Sequence, residues 1–150
     1  MMELKIKRIP DAAGRVPPMP QYATPGAAAM DLTAFISQPC TLESGARALI
    51  PTGIAIALPD AAHAAFVFAR SGLAVRGGIA LSNGVGVIDS DYRGEIKVGL
   101  VNLGSAPYTI NPGDRIAQLC VMPVVQPALV ETDDLDQTAR GAGGFGSTGR

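Results

Sequence analysis

A chain of 150 residues is long enough to bury one hydrophobic core without metals or disulfides. Its 12 Lys and Arg residues nearly balance its 13 Asp and Glu residues, which excludes the broad basic surface that binds nucleic acid or anionic lipid. Two cysteines, Cys40 and Cys120, are too few for a disulfide framework, and the single histidine, His63, argues against zinc catalysis.

Apolar residues alternate with polar ones near the N-terminus, at Leu4 and Ile6, and again over residues 54–58 and 96–100. A period of two is typical of half-buried strands. Between these stretches stand turn sequences, among them Thr24-Pro25-Gly26, Glu43-Ser44-Gly45, Arg76-Gly77-Gly78, Leu103-Gly104-Ser105 and Asn111-Pro112-Gly113-Asp114. Many short strands predict an all-β sandwich, jelly roll or barrel. The one helix we predict is short and covers residues 60–65, after Pro59.

The mean hydropathy of the chain is high. Hydrophobic surface buried between subunits would account for it, so we expect an oligomer. The N-terminus lacks a signal-peptide pattern and no apolar run is long enough to span a membrane, so we expect a cytoplasmic protein without a membrane partner.

The segment at residues 27–33 places Asp31 among apolar residues. A shielded carboxylate needs a partner, and an internal ion pair with Arg115 is one interpretation. A catalytic role is the other, and the sequence leaves both open.

A strongly apolar strand that begins at Phe66 is predicted to end in Arg70-Ser71-Gly72. The triplet combines a guanidinium fork, a hydroxyl and an unhindered backbone, which are the donors that an anion site requires. The alternative is a surface turn with a solvated arginine.

The segment at residues 82–97 reads as two strands joined into a hairpin by a polar stretch at residues 89–94. Asp89 lies at a strand end, where partial shielding from water would suit a general base, whereas Asp91 fits an Asx turn better. Asn83 carries a donor and an acceptor that match the edge of a pyrimidine. Tyr92 is either core filler or a ring that packs on a sugar.

An apolar run at residues 119–121 predicts a buried strand, and the preceding Gln118 is a polar residue in apolar company. A buried amide needs hydrogen-bond partners, which could be protein groups or a phosphate.

We divide the chain into one β domain at residues 1–137 and a flexible glycine-rich arm at residues 138–150. Residues 141–146 of the arm match the glycine pattern of the dinucleotide-binding motif. No strand is predicted before these residues and no helix after them, so we do not expect a dinucleotide-binding fold. Its glycines, Ser147 and Thr148 offer donors to phosphate oxygens, and Arg140 adds charge. Phe145 is suited to stack on a base. The alternative is a disordered low-complexity tail.

Five segments, in this order and spacing, resemble the five motifs of the trimeric dUTPase family. They are AAAMDLTA, ARSGLAVRGGI, SNGVGVIDSDYRGE, GDRIAQLCVMPV and RGAGGFGSTGR. Ala29 and Ala69 depart from the usual glycine and proline, and neither change removes a functional group.

The resemblance implies a distorted jelly-roll homotrimer whose active sites are shared between subunits. It implies hydrolysis of dUTP to dUMP and pyrophosphate, which limits uracil in DNA and supplies dUMP for thymidylate synthesis. It also implies a Mg²⁺ cofactor held by the triphosphate and waters rather than directly by the protein.

The resemblance assigns roles to fifteen positions. Asp89 would activate the water that attacks the α-phosphorus in line. Phosphates would be bound by Arg70, Ser71, Gly72 and Gln118, and by Arg140, Gly146, Ser147 and Thr148 of the arm. Uracil would be read by Asn83 and by main-chain groups around Val87, Ile88 and Lys97. Tyr92 would lie against deoxyribose, and Phe145 would cover the base.

Two other functions are weighed against this one. A dCTP deaminase uses a glutamate to direct water onto the base, and the arm and the Asp-Ser-Asp-Tyr sequence argue against it. A catalytically silent nucleotide-binding trimer is opposed by the presence of Asp89.

Overall fold

The computed structural model describes residues 2–144, and within them the chain forms eleven strands and one helix. The strands are β1 (Lys5–Arg8), β2 (Gln21–Tyr22), β3 (Met30–Thr33), β4 (Cys40–Leu42), β5 (Arg47–Ala57), β6 (His63–Phe68), β7 (Ile79–Leu81), β8 (Gly86–Ile88), β9 (Ile96–Asn102), β10 (Tyr108–Ile110) and β11 (Arg115–Pro123), and the helix is α1 (Ser71–Gly77). The prediction of an all-β protein is confirmed.

The strands form three antiparallel sheets. A four-stranded sheet has the order β1-β5-β9-β7, a five-stranded sheet has the order β2-β3-β11-β6-β8, and β10 pairs with β4. Consecutive strands seldom pair with each other, and the chain crosses repeatedly between the sheets, as in a jelly roll.

The core is aliphatic. Its large, fully buried aliphatic side chains come from the strands of all three sheets, namely Leu32, Leu42, Ile79, Ile96, Val98, Leu100, Ile110, Ile116 and Leu119. No described aromatic residue is fully buried. The scarcity of aromatic residues in the sequence is therefore met by leucine, isoleucine and valine packed between sheets.

Asn102 is a fully buried polar residue at the end of β9. Its amide nitrogen donates to the carbonyl oxygens of Leu42 (2.9 Å) and Ala106 (2.8 Å), and its oxygen accepts from the Gly104 N–H (2.9 Å). One side chain thus ties β4, β9 and the loop after β9 together, and a buried amide whose groups are all bonded stabilises the fold.

The predicted helix at residues 60–65 is wrong. The Asp60 carboxylate closes a turn by accepting the Ala62 N–H at 2.9 Å, and β6 begins at His63. The hydrogen bond from His63 lowers the pKa of Asp60 below its ordinary value. Ala64, Ala65 and Val67 are buried in β6 between β11 and β8, so sheet pairing outweighs the helix propensity of the alanines.

The one helix of the described residues, α1, lies directly after Arg70 instead, in a segment where the sequence predicts the end of a strand. No helix in the described part of the chain is long and apolar enough to cross a membrane.

The predicted hairpin at residues 82–97 is also wrong. β8 pairs with β6 in the five-stranded sheet, whereas β9 pairs with β5 and β7 in the four-stranded sheet. The stretch at residues 89–95 therefore connects two sheets. This separation leaves an opening between β8 and β9.

Candidate functional site

A cleft of about 480 Å³ lies on one face of the five-stranded sheet, and we call it the arginine cleft. Its polar lining consists of Asp31, Arg70, Ser71, Gly72, Arg115 and Gln118, and its apolar lining includes Phe68 and Cys120. The register explains this grouping, because Gln118 on β11 lies opposite Phe68 on β6 and opposite Asp31 on β3. All four phosphate-binding candidates outside the arm are brought together here.

Asp31 holds both arginines of the cleft. Its Oδ1 accepts from Arg70 Nε at 2.9 Å, and its Oδ2 pairs with Arg115 Nη1 at 3.1 Å. Arg70 Nη1 also donates to the Arg115 carbonyl oxygen at 3.3 Å. The ion pair between Asp31 and Arg115 is confirmed, and Arg70 is a second partner that the sequence did not reveal. The carboxylate neutralises part of the charge and fixes the direction of the Arg70 guanidinium.

Gln118 is partly buried, and its amide nitrogen donates to the Ala69 carbonyl oxygen at 3.0 Å. This bond turns the Gln118 side chain toward the segment that leads into α1. Ser71 and Gly72 are the exposed first residues of α1, and the first intrahelical bonds are donated by the N–H groups of Leu73 and Ala74. The backbone N–H groups of Ser71 and Gly72 precede these bonds, so they remain available to an acceptor.

A second, smaller cleft of about 130 Å³ lies in the opening between β8 and β9, and we call it the Asn83 cleft. It is lined by Val67, Leu81, Asn83, Gly86, Val87, Ile88, Lys97, Val98 and Gly99. The four positions predicted to read a pyrimidine, Asn83, Val87, Ile88 and Lys97, therefore share one recess. Its size suits one small planar ring.

The backbone around the Asn83 cleft is only partly used by the sheets. β8 is an edge strand that pairs with β6 alone, and β7 pairs with β9 only from Leu100 onward. Edge strands present unpaired N–H and C=O groups. The cleft thus offers backbone donors and acceptors to a heterocycle, as well as the exposed Asn83 amide.

Asp89 directly follows β8 at the border of the Asn83 cleft, and its side chain is exposed in the single chain. The partial shielding that we predicted for Asp89 is therefore wrong for one subunit. The Asx turns also fail, because in the described part of the chain neither Asp89 nor Asp91 accepts a backbone N–H through its carboxylate, and the turn is closed by the Tyr92 N–H on the Asp89 carbonyl at 3.2 Å.

Tyr92 is not core filler, since 43% of it is exposed. Its hydroxyl donates to the Glu95 carbonyl oxygen at 3.0 Å. This bond holds the ring beside the loop that carries Asp89.

The two clefts share no lining residue. Phe68 and Gln118 line the arginine cleft, whereas Val67, Val87 and Ile88 line the Asn83 cleft at the β8 edge of the same sheet. In a single chain the two clefts are therefore separate pockets.

Part of the predicted arm is described. Arg140 is exposed, and its Nε donates to the Gly143 carbonyl oxygen at 2.8 Å. Phe145, Gly146, Ser147 and Thr148 lie outside the described residues.

The side chains of the two clefts offer few ligands of the kind that a magnesium ion requires. Within residues 2–144, no group of three or more His, Cys, Asp or Glu side chains is placed to hold a metal. The arginine cleft instead carries guanidinium, hydroxyl and amide groups. This chemistry suits the phosphate oxygens of a metal-bearing ligand better than the metal itself.

Comparison with known proteins agrees with this geometry. A family model described as dUTPase matches residues 16–149. The deoxyuridine 5'-triphosphate nucleotidohydrolase of Desulfitobacterium hafniense (strain DSM 10664 / DCB-2) is 55% identical over 149 residues, covering 99% of this chain and 99% of that protein. The protein of the same name from Idiomarina loihiensis is 48% identical over 150 residues, covering 100% and 99%.

Two solved structures share the fold. The Staphylococcus bacteriophage 80alpha dUTPase with dUPNHPP superposes with a TM-score of 0.85 at 23% identity, covering 99% of each chain. A variant of the phage phi11 dUTPase of S. aureus, in which a structural Mg(II) ion is coordinated, superposes with a TM-score of 0.77 at 20% identity, covering 90% of this chain and 99% of that one. The jelly-roll fold is confirmed, and the chain belongs to the dUTPase family.

Proposed function

We propose that this chain hydrolyses dUTP to dUMP and pyrophosphate in the cytoplasm, which would limit uracil in DNA and supply dUMP for thymidylate synthesis. The observation that carries the proposal is the Asn83 cleft, a recess of about 130 Å³. It is bordered by the edge strand β8, and Asp89 is the first residue after that strand. The cleft is small enough to select a pyrimidine, and the carboxylate of Asp89 is next in sequence to Ile88 of its lining.

Uracil enters the Asn83 cleft and is read by the Asn83 amide and by main-chain groups around Val87, Ile88 and Lys97. The deoxyribose then lies at the mouth, against Tyr92. The partial exposure of Tyr92, 43%, supports this placement, because a ring packed against the sugar leaves no room for a 2′-hydroxyl. The narrow recess likewise disfavours the methyl group of thymine.

The triphosphate is bound in the arginine cleft by Arg70, Ser71, Gly72 and Gln118. The Asp31 carboxylate, 2.9 Å from Arg70 Nε, supports this role because it holds the guanidinium in place before substrate arrives. Preorganised donors stabilise the charge that develops on phosphate oxygens during transfer.

Asp89 takes a proton from a water molecule as the water oxygen attacks the α-phosphorus in line. The bond from the α-phosphorus to the bridging oxygen breaks, and pyrophosphate leaves with that oxygen. When bound with the triphosphate, Mg²⁺ would supply charge neutralisation on the phosphates, which Arg70, Ser71, Gly72 and Gln118 would hold in the arginine cleft.

The working unit is a homotrimer with active sites shared between subunits. Three features support this assembly. The two clefts share no lining residue in one chain, so a site that uses both is completed between neighbouring subunits. The outer face of the five-stranded sheet carries stacked Phe66 and Phe68 rings, with centroids 6.3 Å apart, beside a 58% exposed Val87. The segment after β11 also leaves Val125, Leu129, Val130 and Leu135 between 79% and 95% exposed.

The domain boundary stays at residue 137, and residues 138–150 act as an arm that closes over bound nucleotide. Phe145 covers the base, while Arg140, Gly146, Ser147 and Thr148 bind phosphates. The position of β11 supports this division, because the last strand of the described chain ends at Pro123.

The test is to incubate the purified protein with dUTP and with each of the four standard dNTPs, with and without Mg²⁺, and to separate the products by anion exchange. We expect dUMP and pyrophosphate from dUTP alone, and loss of turnover when Mg²⁺ is chelated. Asp89→Asn should retain nucleotide binding and lose turnover. Release of ammonia from dCTP would overturn the proposal, as would equal turnover by Asp89→Asn.

A further inference from the structure

Glu95 links the loop that carries Asp89 and Tyr92 to the interior of the protein. Its side chain is mostly shielded, with 22% exposed. Its Oε1 accepts the Gly53 N–H at 2.8 Å, and its Oε2 lies 3.7 Å from Lys97 Nζ. The side chain therefore reaches from the start of β9 across to β5.

The contact point on β5 is an irregularity in the sheet. The register between β5 and β9 shifts between Pro51 and Ile54, and the extra backbone at this bulge leaves the Gly53 N–H without a strand partner. Glu95 supplies that partner. Gly53 has a φ of +66°, and a Cβ there would lie 2.7 Å from the side chains of Phe35 and Pro17. The bulge is thus packed tightly and is a rigid anchor for the carboxylate.

The other end of Glu95 holds Tyr92. The Tyr92 hydroxyl donates to the Glu95 carbonyl oxygen, and the ring lies so close to Gly94 that a Cβ at this position would collide with it. The direction of the ring is therefore set by the backbone at Gly94 and Glu95, whose own position depends on the bond to Gly53.

We propose that Glu95 is a positioning residue that determines sugar specificity, by anchoring Tyr92 and Lys97 to the β5 bulge. This inference rests on the proposed function, because it assumes that deoxyribose lies against Tyr92. Without the anchor, the loop relaxes and the Tyr92 ring no longer excludes a ribose 2′-hydroxyl. Glu95 touches no reacting atom, so its loss lowers discrimination more than it lowers turnover of dUTP.

The experiment measures kcat/KM for dUTP and for UTP, together with calorimetric binding of dUMP and UMP. Glu95→Ala should reduce the preference for dUTP over UTP by roughly tenfold or more, since one rearranged contact in a specificity pocket has an effect of this size. Glu95→Gln keeps an oxygen that accepts the Gly53 N–H, so it should retain most of the preference. Glu43→Ala removes an exposed glutamate for which no side-chain contact is recorded in the described chain and is the matched control.

Tyr92→Phe tests the same link without touching the interior, because it removes only the hydroxyl that binds Glu95. It should lower the sugar preference in the same direction, and it decides the matter if Glu95→Ala does not fold. An unchanged preference in Tyr92→Phe and in a folded Glu95→Ala overturns the inference. A wild-type protein that does not hydrolyse dUTP instead overturns the proposed function, so the two failures are distinguishable.

Discussion

Asp31 holds the Arg70 side chain in the arginine cleft, with 2.9 Å between Oδ1 and Nε and only 19% and 26% of the two side chains exposed. The pair joins β3 to the segment before α1, and Arg115 on β11 completes it from the other side of Asp31. This arrangement gives Arg70 one direction before any anion binds, which lowers the ordering cost that binding would otherwise carry.

Asp31→Asn should therefore raise the KM for dUTP by about tenfold while kcat changes less, because the neutral amide holds the two guanidinium groups more weakly. Steady-state kinetics would measure the effect. Asp11→Asn is the matched control, since it removes the charge of a similar carboxylate–arginine pair, with Arg15, that lines neither cleft. An Asp31→Asn enzyme with wild-type KM would show that the carboxylate does not position Arg70.

Asn102→Ala should reduce the free energy of unfolding by about 2–4 kcal/mol, because it removes three hydrogen bonds made by a fully buried side chain, one of them to the buried Leu42 carbonyl oxygen, and opens a small cavity. Urea unfolding followed by circular dichroism would measure it. Asn111→Ala removes an exposed amide with a single long contact to Asp114 and should cost well under 1 kcal/mol, within the usual range of surface substitutions. Equal effects of the two changes would contradict this account of the core.

The sequence predicted the strands better than their partners. Alternation at residues 54–58 and 96–100 identified β5 and β9, because a period of two depends only on which face is buried. It could not show that β8 and β9, seven residues apart, belong to different sheets. Pairing is decided by contacts distant in sequence, here between β8 and β6.

The helix was missed for a related reason. α1 has seven residues with glycine at its second and last positions, and none of its side chains is fully buried, so no helical period marks it. The segment at residues 60–65, where a helix was predicted, has the better helix propensity, yet its alanines also fit a strand packed between two others. At residues 60–65 local propensity gave way to burial in the sheet.

The sequence predicted which residues form the candidate site but not how the fold arranges them into clefts. The resemblance of the motifs grouped Arg70, Ser71, Gly72 and Gln118, and the structure brings them together. Glu95 carried no signal beyond its charge, because its role depends on a bulge in β5 that is distant in sequence.

Subunit sharing can be tested with two inactive variants. If Asp89 and Arg70 of one active site come from different subunits, Arg70→Ala and Asp89→Asn should each lack activity, whereas an equal mixture that is unfolded and refolded together should recover about a quarter of wild-type turnover. In such a mixture an active site has a chance of about one half of receiving an intact Asp89 and a chance of about one half of receiving an intact Arg70, so about a quarter of the sites have both.

The control for that mixture is refolding of each variant alone, which should stay inactive. Recovery of activity would distinguish active sites shared between subunits from active sites formed by one subunit. In the second case every chain carries a defect in its own site, so mixing the two variants restores nothing. A mixture that refolds to trimers by sedimentation and remains inactive would show that Arg70 and Asp89 act from the same subunit.

The arm can be tested by ending the chain after Gln137. The described strands end at Pro123, so the truncated protein should unfold at the same urea concentration as the complete one. Turnover of dUTP should fall by about 100-fold or more, because donors to the phosphates and the ring over the base are removed together.

A narrower change, Phe145→Ala in the complete chain, separates these two contributions. It should weaken nucleotide binding through lost stacking, by about tenfold, while the phosphate donors of the arm remain. Calorimetry with a non-hydrolysable dUTP analogue would measure it. If the truncated enzyme kept full turnover, the arm would have no part in the reaction. If the truncated enzyme unfolded at a lower urea concentration, residues 138–150 would belong to the folded domain and the boundary at residue 137 would be wrong.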